Sequence, residues 1–202
     1  MAKQRNYLMT GQSPELFDKV FEEMSAQLKA SLGWLDKAFG RAERTVKLSA
    51  TGKRIYTPCV YFHGNEYTEL LPDSNVGNFS FFWVDDPQQI TWDRYVSVGI
   101  RTDFSVIFWY DFRKVYNGTN RNREQVKADI LDALNSMALK HGGFVINRVY
   151  ELAENIYRGF SLDEVDNQFL MQPYGGIRLE GEIWVTKTCT HQQANQTNTK
   201  TL

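Results

Sequence analysis

The residues best suited to hold a metal ion are two cysteines and three histidines, and they lie far apart along the chain. Cys59 and His63 make one loose pair, and Cys189 with His141 or His191 would have to complete a tetrahedral site. Zinc sites usually show paired ligands at both ends of the motif. Because only one loose pair is present, the sequence predicts free thiols and no bound metal or other cofactor.

Nucleophilic catalysis needs a serine or cysteine held near a histidine. The sequence has no Gly-x-Ser-x-Gly motif, and its histidines are scattered. The glycine pairs at 142–143 and 175–176 do not join a strand to a helix with a following lysine, as a phosphate-binding loop requires. Both pairs are therefore predicted to be turns, and no catalytic residue is predicted.

Carboxylates are plentiful, and a metal-dependent nuclease needs several of them at one site, often beside a lysine. Pro72-Asp73 followed by Glu180-Gly181-Glu182 lacks both the close spacing and the lysine of such a motif. Strands commonly place charged side chains on their solvent-facing side. The acidic residues are therefore interpreted as surface charge, and a metal-dependent nuclease or hydrolase that uses Asp103 or Glu182 stays an alternative.

The composition is that of one domain without a strong net charge. With 202 residues, of which 42% are hydrophobic, the chain is long enough for a sizeable core. A formal net charge of −1 gives no basic field toward nucleic acid or anionic lipid, so no sequence-specific nucleic-acid partner is predicted. No apolar run is long enough to span a membrane, and the N-terminus lacks the apolar region of a secretion signal, so no membrane partner is predicted.

The stretch that organises the chain is 94–112, which alternates between two faces as a long strand does. Its even-numbered positions are mostly apolar, and Phe104, Val106 and Phe108 are predicted to be core. At about 3.3 Å per residue, such a strand is longer than a small domain is wide. We therefore expect it either to bend through a bulge near Gly99 or to project as an arm.

Two amphipathic helices are predicted beside this strand. The first begins with Ser13 as its N-cap and Pro14 in its first turn, and it carries an apolar stripe over 16–28. The second has Asn122 as its N-cap and an apolar stripe over 126–137. Stripes of this kind predict that both helices pack against the sheet.

The remaining elements are mostly strands. They are predicted at 45–48, 54–62, 66–71, 79–84, 144–152 and 177–189, with a short helix opened by a capping box over 161–164. Because strands dominate without βαβ alternation, the predicted fold class is α+β, a mostly antiparallel sheet with the two main helices packed on one face. Residues 13–189 are the predicted single domain, between a flexible lead at 1–12 and a flexible polar tail at 190–202.

The second half of the chain has a distinctive order of elements. A long alternating strand, a charged loop and the helix EQVKADILDALNSM precede the closing segment FLMQPYGGIRLEGEIWVTKTC, in which the turn Gln172-Pro173-Tyr174 leads into an acidic last strand. From about Val96 onward, over roughly half of its length, the chain thereby resembles phage tail-completion and tail-terminator proteins. These are small subunits that form a ring at a tail end or at the neck, the head–tail junction.

The resemblance implies a structural virion protein, assembled in the host cytoplasm, that is not an enzyme. Its partners would be copies of itself in a ring and the neighbouring tail-tube or connector proteins of the phage. The residues expected at the subunit interface are Trp109, Tyr110, Arg113, Lys114, Tyr116, Arg121, Tyr174, Arg178 and Trp184. The alternatives are a nuclease or hydrolase of another α+β type and a cytoplasmic binding domain with an aromatic ligand groove.

Overall fold

The computed structural model describes residues 14–49, 51–62, 66–93, 97–116 and 122–188. In chain order, its elements are α1 (Phe17–Ser31), β1 (Lys37–Arg41), β2 (Glu43–Leu48), β3 (Arg54–Phe62), β4 (Glu66–Glu69), β5 (Phe79–Val84), β6 (Gln89–Asp93), β7 (Ser97–Asp111), α2 (Phe112–Val115), α3 (Arg123–Asn135), β8 (Gly142–Tyr150), α4 (Ala153–Ile156), a 3₁₀ turn (Asn167–Leu170) and β9 (Tyr174–Thr188). The lead at 1–12 and the tail at 190–202 lie outside the described residues, so their flexibility stays a prediction. No helix in the described ranges is long and apolar enough to cross a membrane.

The described strands form two sheets. The larger sheet has the order β1-β5-β7-β9-β8, with β6 beside one end of β7, and the smaller sheet has the order β2-β3-β4. The β1–β5 pair is parallel, and the other strand pairs of the described ranges are antiparallel. The predicted α+β fold class with a mostly antiparallel sheet is confirmed.

β7 lies at the centre of the larger sheet and is 15 residues long. It pairs with β9 without interruption, from Ser97 opposite Thr188 to Asp111 opposite Tyr174. On its other side, β6 pairs with its first residues and β5 with its last residues. Of the two predicted alternatives for this long strand, the bulge near Gly99 is wrong, because β7 pairs in uninterrupted register with β6 and β9 there.

The two main helices pack on one face of the larger sheet, as predicted. Their apolar stripes meet the even-numbered side chains of β7, and Phe104, Val106 and Phe108 are at most 1% exposed. This helix-side core is formed by Phe17, Val20, Phe21, Met24 and Leu28 of α1, by Val126, Ile130, Ala133 and Leu134 of α3, and by Phe104, Val106, Phe108, Tyr110, Ile177, Leu179, Ile183 and Val185 of the sheet. The predicted core positions of β7 are confirmed.

The opposite face of the larger sheet is also covered, by the smaller sheet and by the segments around α4 and the 3₁₀ turn. Ile107 and Trp109, which interrupt the polar side of the predicted strand, are buried there. The other members of this second core include Phe39, Val60, Leu70, Val76, Phe79, Phe81, Ile156, Tyr157, Val165 and Phe169. The protein therefore has three layers with β7 in the middle one, and both faces of β7 are buried over its last residues.

Some boundaries differ from the prediction because local signals are weaker than tertiary pairing. The predicted N-cap Ser13 lies outside the described residues, and α1 begins at Phe17. The capping box at 161–164 does not open a helix. The 3₁₀ turn begins later, where the Asp166 carboxylate accepts a hydrogen bond from the Gln168 N–H at 3.1 Å.

The glycine pairs are parts of strands, and the prediction that they are turns is wrong. Gly142 and Gly143 open β8, and Gly175 and Gly176 lie in β9. A Cβ at Gly176 would lie 2.7 Å from the Phe108 carbonyl oxygen. The glycine is therefore explained by the close approach of a neighbouring strand.

Candidate subunit interface

Three of the predicted interface residues lie inside the chain's own cores. Tyr110 is buried on the helix side of the larger sheet, and Trp109 is buried on the opposite side. Arg178 is only 1% exposed, although it was predicted to lie on a polar strand face. Because these side chains leave almost no surface for a neighbouring subunit, their assignment to an interface is wrong. The reason is that β7 and β9 are covered on both faces.

Arg178 forms a buried ion pair with Glu180, two residues along β9. Its Nε donates to Glu180 Oε1 at 2.8 Å, and its Nη1 donates to the carbonyl oxygen of Arg158 at 3.2 Å. Burial lowers the pKa of Arg178, although the adjacent Glu180 carboxylate opposes the shift. Arg178 therefore fixes the segment after α4 onto the sheet, which is a structural role.

Two further arginines surround the same carboxylate. Arg158 contacts Glu180 Oε1 through Nη2, and Arg148 Nη1 of β8 lies 3.8 Å from Glu180 Oε2. The Arg158 guanidinium also lies over the ring of Tyr150, 5.3 Å from its centroid. One buried carboxylate thus balances three cations, and Arg148 is the most exposed of them.

The carboxylates weighed for a nuclease come close together on this face. Asp103 of β7 lies directly opposite Glu182 of β9 in the strand register. Glu182 forms an ion pair with Arg101 at 3.0 Å. Within the part of the chain that the structure describes, no three Asp, Glu, His or Cys side chains come together as a metal site.

Cys59 is buried in β3, and its Sγ lies 2.9 Å from Thr45 Oγ1. His63, Cys189 and His191 lie outside the described residues. The prediction of free thiols without metal therefore stays a prediction.

The exposed Arg113 and the half-buried Tyr174 form a cluster where β7 meets α2. The Asp111 carboxylate accepts from the Arg113 N–H at 2.9 Å and from Arg113 Nη2 at 2.8 Å. Burial tends to raise the pKa of Asp111, but the hydrogen bonds from Arg113 prevail and lower it. The Arg113 guanidinium lies 5.6 Å from the centroid of the Tyr174 ring. This arrangement leaves a positive charge and an aromatic ring at the surface, as the interface prediction requires.

The three remaining candidates near this cluster, Lys114, Tyr116 and Arg121, differ in how far they are exposed or described. Lys114 is exposed beside Arg113. Tyr116 is half-buried and donates a hydrogen bond to Asp129 Oδ2 at 2.7 Å, and burial together with this bond raises its pKa. Arg121 lies outside the described residues. Lys114 therefore extends the surface of the Arg113 cluster, while the Tyr116 hydroxyl is already used within the chain.

Trp184 is the candidate that lies beside a large surface depression. Its side chain is 38% exposed, and its indole covers the backbone of Gly143. The Arg101 guanidinium lies 5.7 Å from the centroid of the Trp184 ring. Trp184 thereby forms one wall of a groove of about 790 Å³ between α3 and β8.

This groove, which we call the α3–β8 groove, was not predicted from the sequence. Its apolar lining comes from Leu131, Leu134, Met137 and Leu139 after and along α3 and from Phe144, Val145, Ile146, Val149 and Trp184 of the sheet. Its polar lining comes from Asp132, Asn135, Asn147 and Arg148. β8 is the last strand of its sheet, so its outer backbone edge has no partner strand among the described residues. The available signal was the poor alternation of 144–149, where apolar residues fall on both faces of the strand.

The chain was compared with protein-family models and with curated proteins, and neither comparison gives a match. The resemblance to phage tail-terminator proteins therefore stays a prediction.

Proposed function

We propose that this chain is a structural subunit that assembles with copies of itself into a ring at the end of a phage tail or at the neck. The observation that carries the proposal is the unpaired edge of β8, with the apolar side chains of the α3–β8 groove beside it. The sequence resemblance to tail-completion and tail-terminator proteins supplies the biological setting.

An unpaired edge is unusual in a soluble protein unless it is protected or used. Proteins commonly protect edge strands by keeping them short, by charging them or by covering them. β8 has nine residues, its register is regular from Gly142 to Ile146 and shifts before Arg148, and Val145 and Val149 on it are exposed. Backbone groups along such an edge can bind a further strand, while neighbouring apolar side chains are buried by the same contact. The edge therefore supports a role in assembly.

The aromatic and basic cluster supports the same role at a second location. Arg113, Lys114 and Tyr174 lie at the opposite end of β7 from Ser97. Aromatic residues and arginine are enriched in protein interfaces. A ring subunit at a tail end also needs a surface for the next protein of the particle, and this cluster is the proposed contact with a tail-tube or connector protein.

The molar mass in solution tests the proposal. We expect the purified chain to form a defined multimer with a concentration-dependent mass in size-exclusion chromatography with light scattering. A monomer at high concentration at every ionic strength would overturn the proposal. Native mass spectrometry of the same samples would give the copy number.

A binding domain for a small apolar ligand is the second candidate function. The volume of the α3–β8 groove falls within the range of about 300–1,000 Å³ that is usual for ligand pockets. This function predicts a monomer in which binding of a hydrophobic dye changes the fluorescence of Trp184. Displacement of the dye should restore the original fluorescence. Multimer formation that excludes the dye from the groove would argue against it.

A further inference from the structure

Two exposed apolar side chains stand on β6, at the far side of the sheet from β8. Ile90 is 56% exposed and Trp92 is 72% exposed. They pair with Ile100 and Val98 in the strand register, so they project on the helix side of the sheet. Among the described strands, β6 pairs only with β7, and its outer edge has no partner. A tryptophan exposed to this extent on an open strand edge is suited to insertion into another surface.

Part of the α3–β8 groove lies on the same side of the sheet, while Val145 and Trp184 line it from the opposite face. Phe144 and Ile146 of β8 pair with Ile183 and Gly181 of β9, which places them on the helix side. Both pack partly buried against the helix-side core. A strand added to the edge of β8 with apolar side chains on this side would place them against Phe144, Ile146 and α3.

The topology brings these two edges together when copies are related by rotation. β6 and β8 lie at opposite lateral edges of one sheet, and β8 runs in the same direction as β7 while β6 runs opposite to it. In a ring, every copy has the same orientation relative to the axis, and the right edge of one copy meets the left edge of the next. β8 of one copy and β6 of the next therefore meet antiparallel, with their helix sides on the same side.

The charges of the two edges are complementary. Within β6 the one charged residue is Asp93. Within β8 the one charged residue is Arg148. Arg148 is well exposed despite its contact with Glu180. Opposite charges at the two edges favour the pairing of β8 with β6 and disfavour the pairing of either edge with itself.

We infer that β6 of one copy adds to the edge of β8 of the next copy, so that Trp92 and Ile90 fill the α3–β8 groove and a continuous sheet runs around the ring. The inference rests on the proposed ring assembly. The register that brings Trp92 opposite Phe144 and Ile90 opposite Ile146 places Thr91 opposite Val145.

Disulfide trapping tests this pairing. The parent is the full chain with Cys189→Ser, and the buried Cys59 is kept. Thr91→Cys and Val145→Cys are made singly and together in this parent. Under mild oxidation, we expect the double variant to give a ladder of linked chains. A mixture of the two single variants should give linked dimers only, and each single variant alone should give none.

Each other result has a defined meaning. Dimers from Val145→Cys alone would show that β8 pairs with a second β8, and dimers from Thr91→Cys alone would show that β6 pairs with a second β6. A link from Val145→Cys to Cys189 in a chain that retains Cys189 would show that the C-terminal segment covers the edge. Any of these overturns the inference. A multimer without the expected ladder also overturns it and leaves the ring proposal intact, whereas a monomer overturns the ring proposal itself.

The contribution of Trp92 is tested by substitution, with an exposed residue elsewhere as the matched control. Leu48 of β2 is 69% exposed and lies on the smaller sheet. We expect Trp92→Ala to raise the dissociation constant of assembly at least about tenfold, as for an interface hot spot. Leu48→Ala should leave it unchanged, and circular dichroism should show both variants folded. Assembly of Trp92→Ala with the parent's affinity would overturn the inference.

Discussion

Replacement of Glu180 by glutamine tests whether the buried arginine cluster depends on one carboxylate. The side chains of Arg178 and Glu180 are 2% and 9% exposed, and their contact is 2.8 Å long. Removal of one partner of a buried pair typically costs about 3–5 kcal/mol, because the remaining charge stays buried without compensation. Here Arg158 and Arg148 also face the vacated carboxylate position. We therefore expect Glu180→Gln to lower the free energy of unfolding by about 3–5 kcal/mol.

Urea unfolding followed by circular dichroism at neutral pH measures this loss, and the same strand provides the control. Glu182 lies on the same face of β9, and its pair with Arg101 is partly exposed. Exposed pairs contribute about 0–1 kcal/mol, so Glu182→Gln should cost no more than that. If Glu180→Gln costs no more than Glu182→Gln, the electrostatic account of the cluster is refuted.

A double variant separates charge from shape. Arg178→Met with Glu180→Leu removes both buried charges, and Arg158 is exposed enough to turn toward solvent. Replacement of a buried ion pair by apolar residues is often close to neutral. We therefore expect the double variant to lose less stability than the two single variants together. Additive losses would show that the pair contributes through packing and not through its charges.

Three further predictions concern the core, the sheet edge and the acid response. Phe104→Ala and Phe108→Ala should each cost about 3–5 kcal/mol in the same urea assay, because both rings are buried; losses under about 1 kcal/mol for both would show that the buried face of β7 is misassigned. Gly181→Ala should destabilise the protein by at least about 1–3 kcal/mol, because its Cβ would collide with the Val145 carbonyl oxygen, whereas Gly33→Ala has no atom within 4 Å and should be nearly neutral; equal unfolding midpoints would contradict this. For Glu23, burial tends to raise the pKa, but hydrogen bonds from the Lys140 N–H and His141 prevail and lower it below 4.5. The stabilisation that ionised Glu23 gives the folded state is therefore fully present above pH 4.5 and is lost as the pH falls through its lowered folded pKa. Urea unfolding should therefore show the parent more stable than Glu23→Gln above pH 4.5, with the difference disappearing at lower pH.

The long-range periodicities were readable from the sequence. The alternation of 94–112 identified β7 and its helix-side core, and the stripes of α1 and α3 identified the helices that cover it. The strands at 54–62 and 79–84 have the predicted bounds, and the second of them is a mostly apolar run. Asn122 caps α3 as predicted, since its side chain accepts from the Gln125 N–H at 3.2 Å.

The strands that the sequence did not predict, β1 and β6, are defined by pairing with strands that lie elsewhere in the chain. The apolar spacing of α1 continues past Gly33 to Phe39 in the sequence, but α1 ends at Ser31, and β1 becomes a strand by parallel pairing with β5. β6 has five residues, and its partner is the first part of β7. Strands of this length carry little periodicity, so their identity depends on the neighbour that completes their hydrogen bonds.

The interface candidates failed where burial depends on a layer that the sequence did not reveal. Trp109 and Arg178 lie on the mixed face of their strands, and a two-layer α+β fold would leave that face exposed. The smaller sheet and the segment after α4 cover it instead. Trp184 lies beyond this cover and is exposed, whereas Tyr174 is half-buried against it, so only part of the predicted interface stays available.

The position of β7 between two cores has a consequence for how the protein unfolds. Val106 belongs to the helix-side core and its neighbour Ile107 to the opposite core, and β9 pairs along the full length of the same strand. If either the helices or the smaller sheet detached, one apolar face of β7 and β9 would become exposed while their other face stayed packed. The two cores are therefore expected to melt in one calorimetric transition, with backbone amides in the second half of β7 exchanging with solvent only through global unfolding.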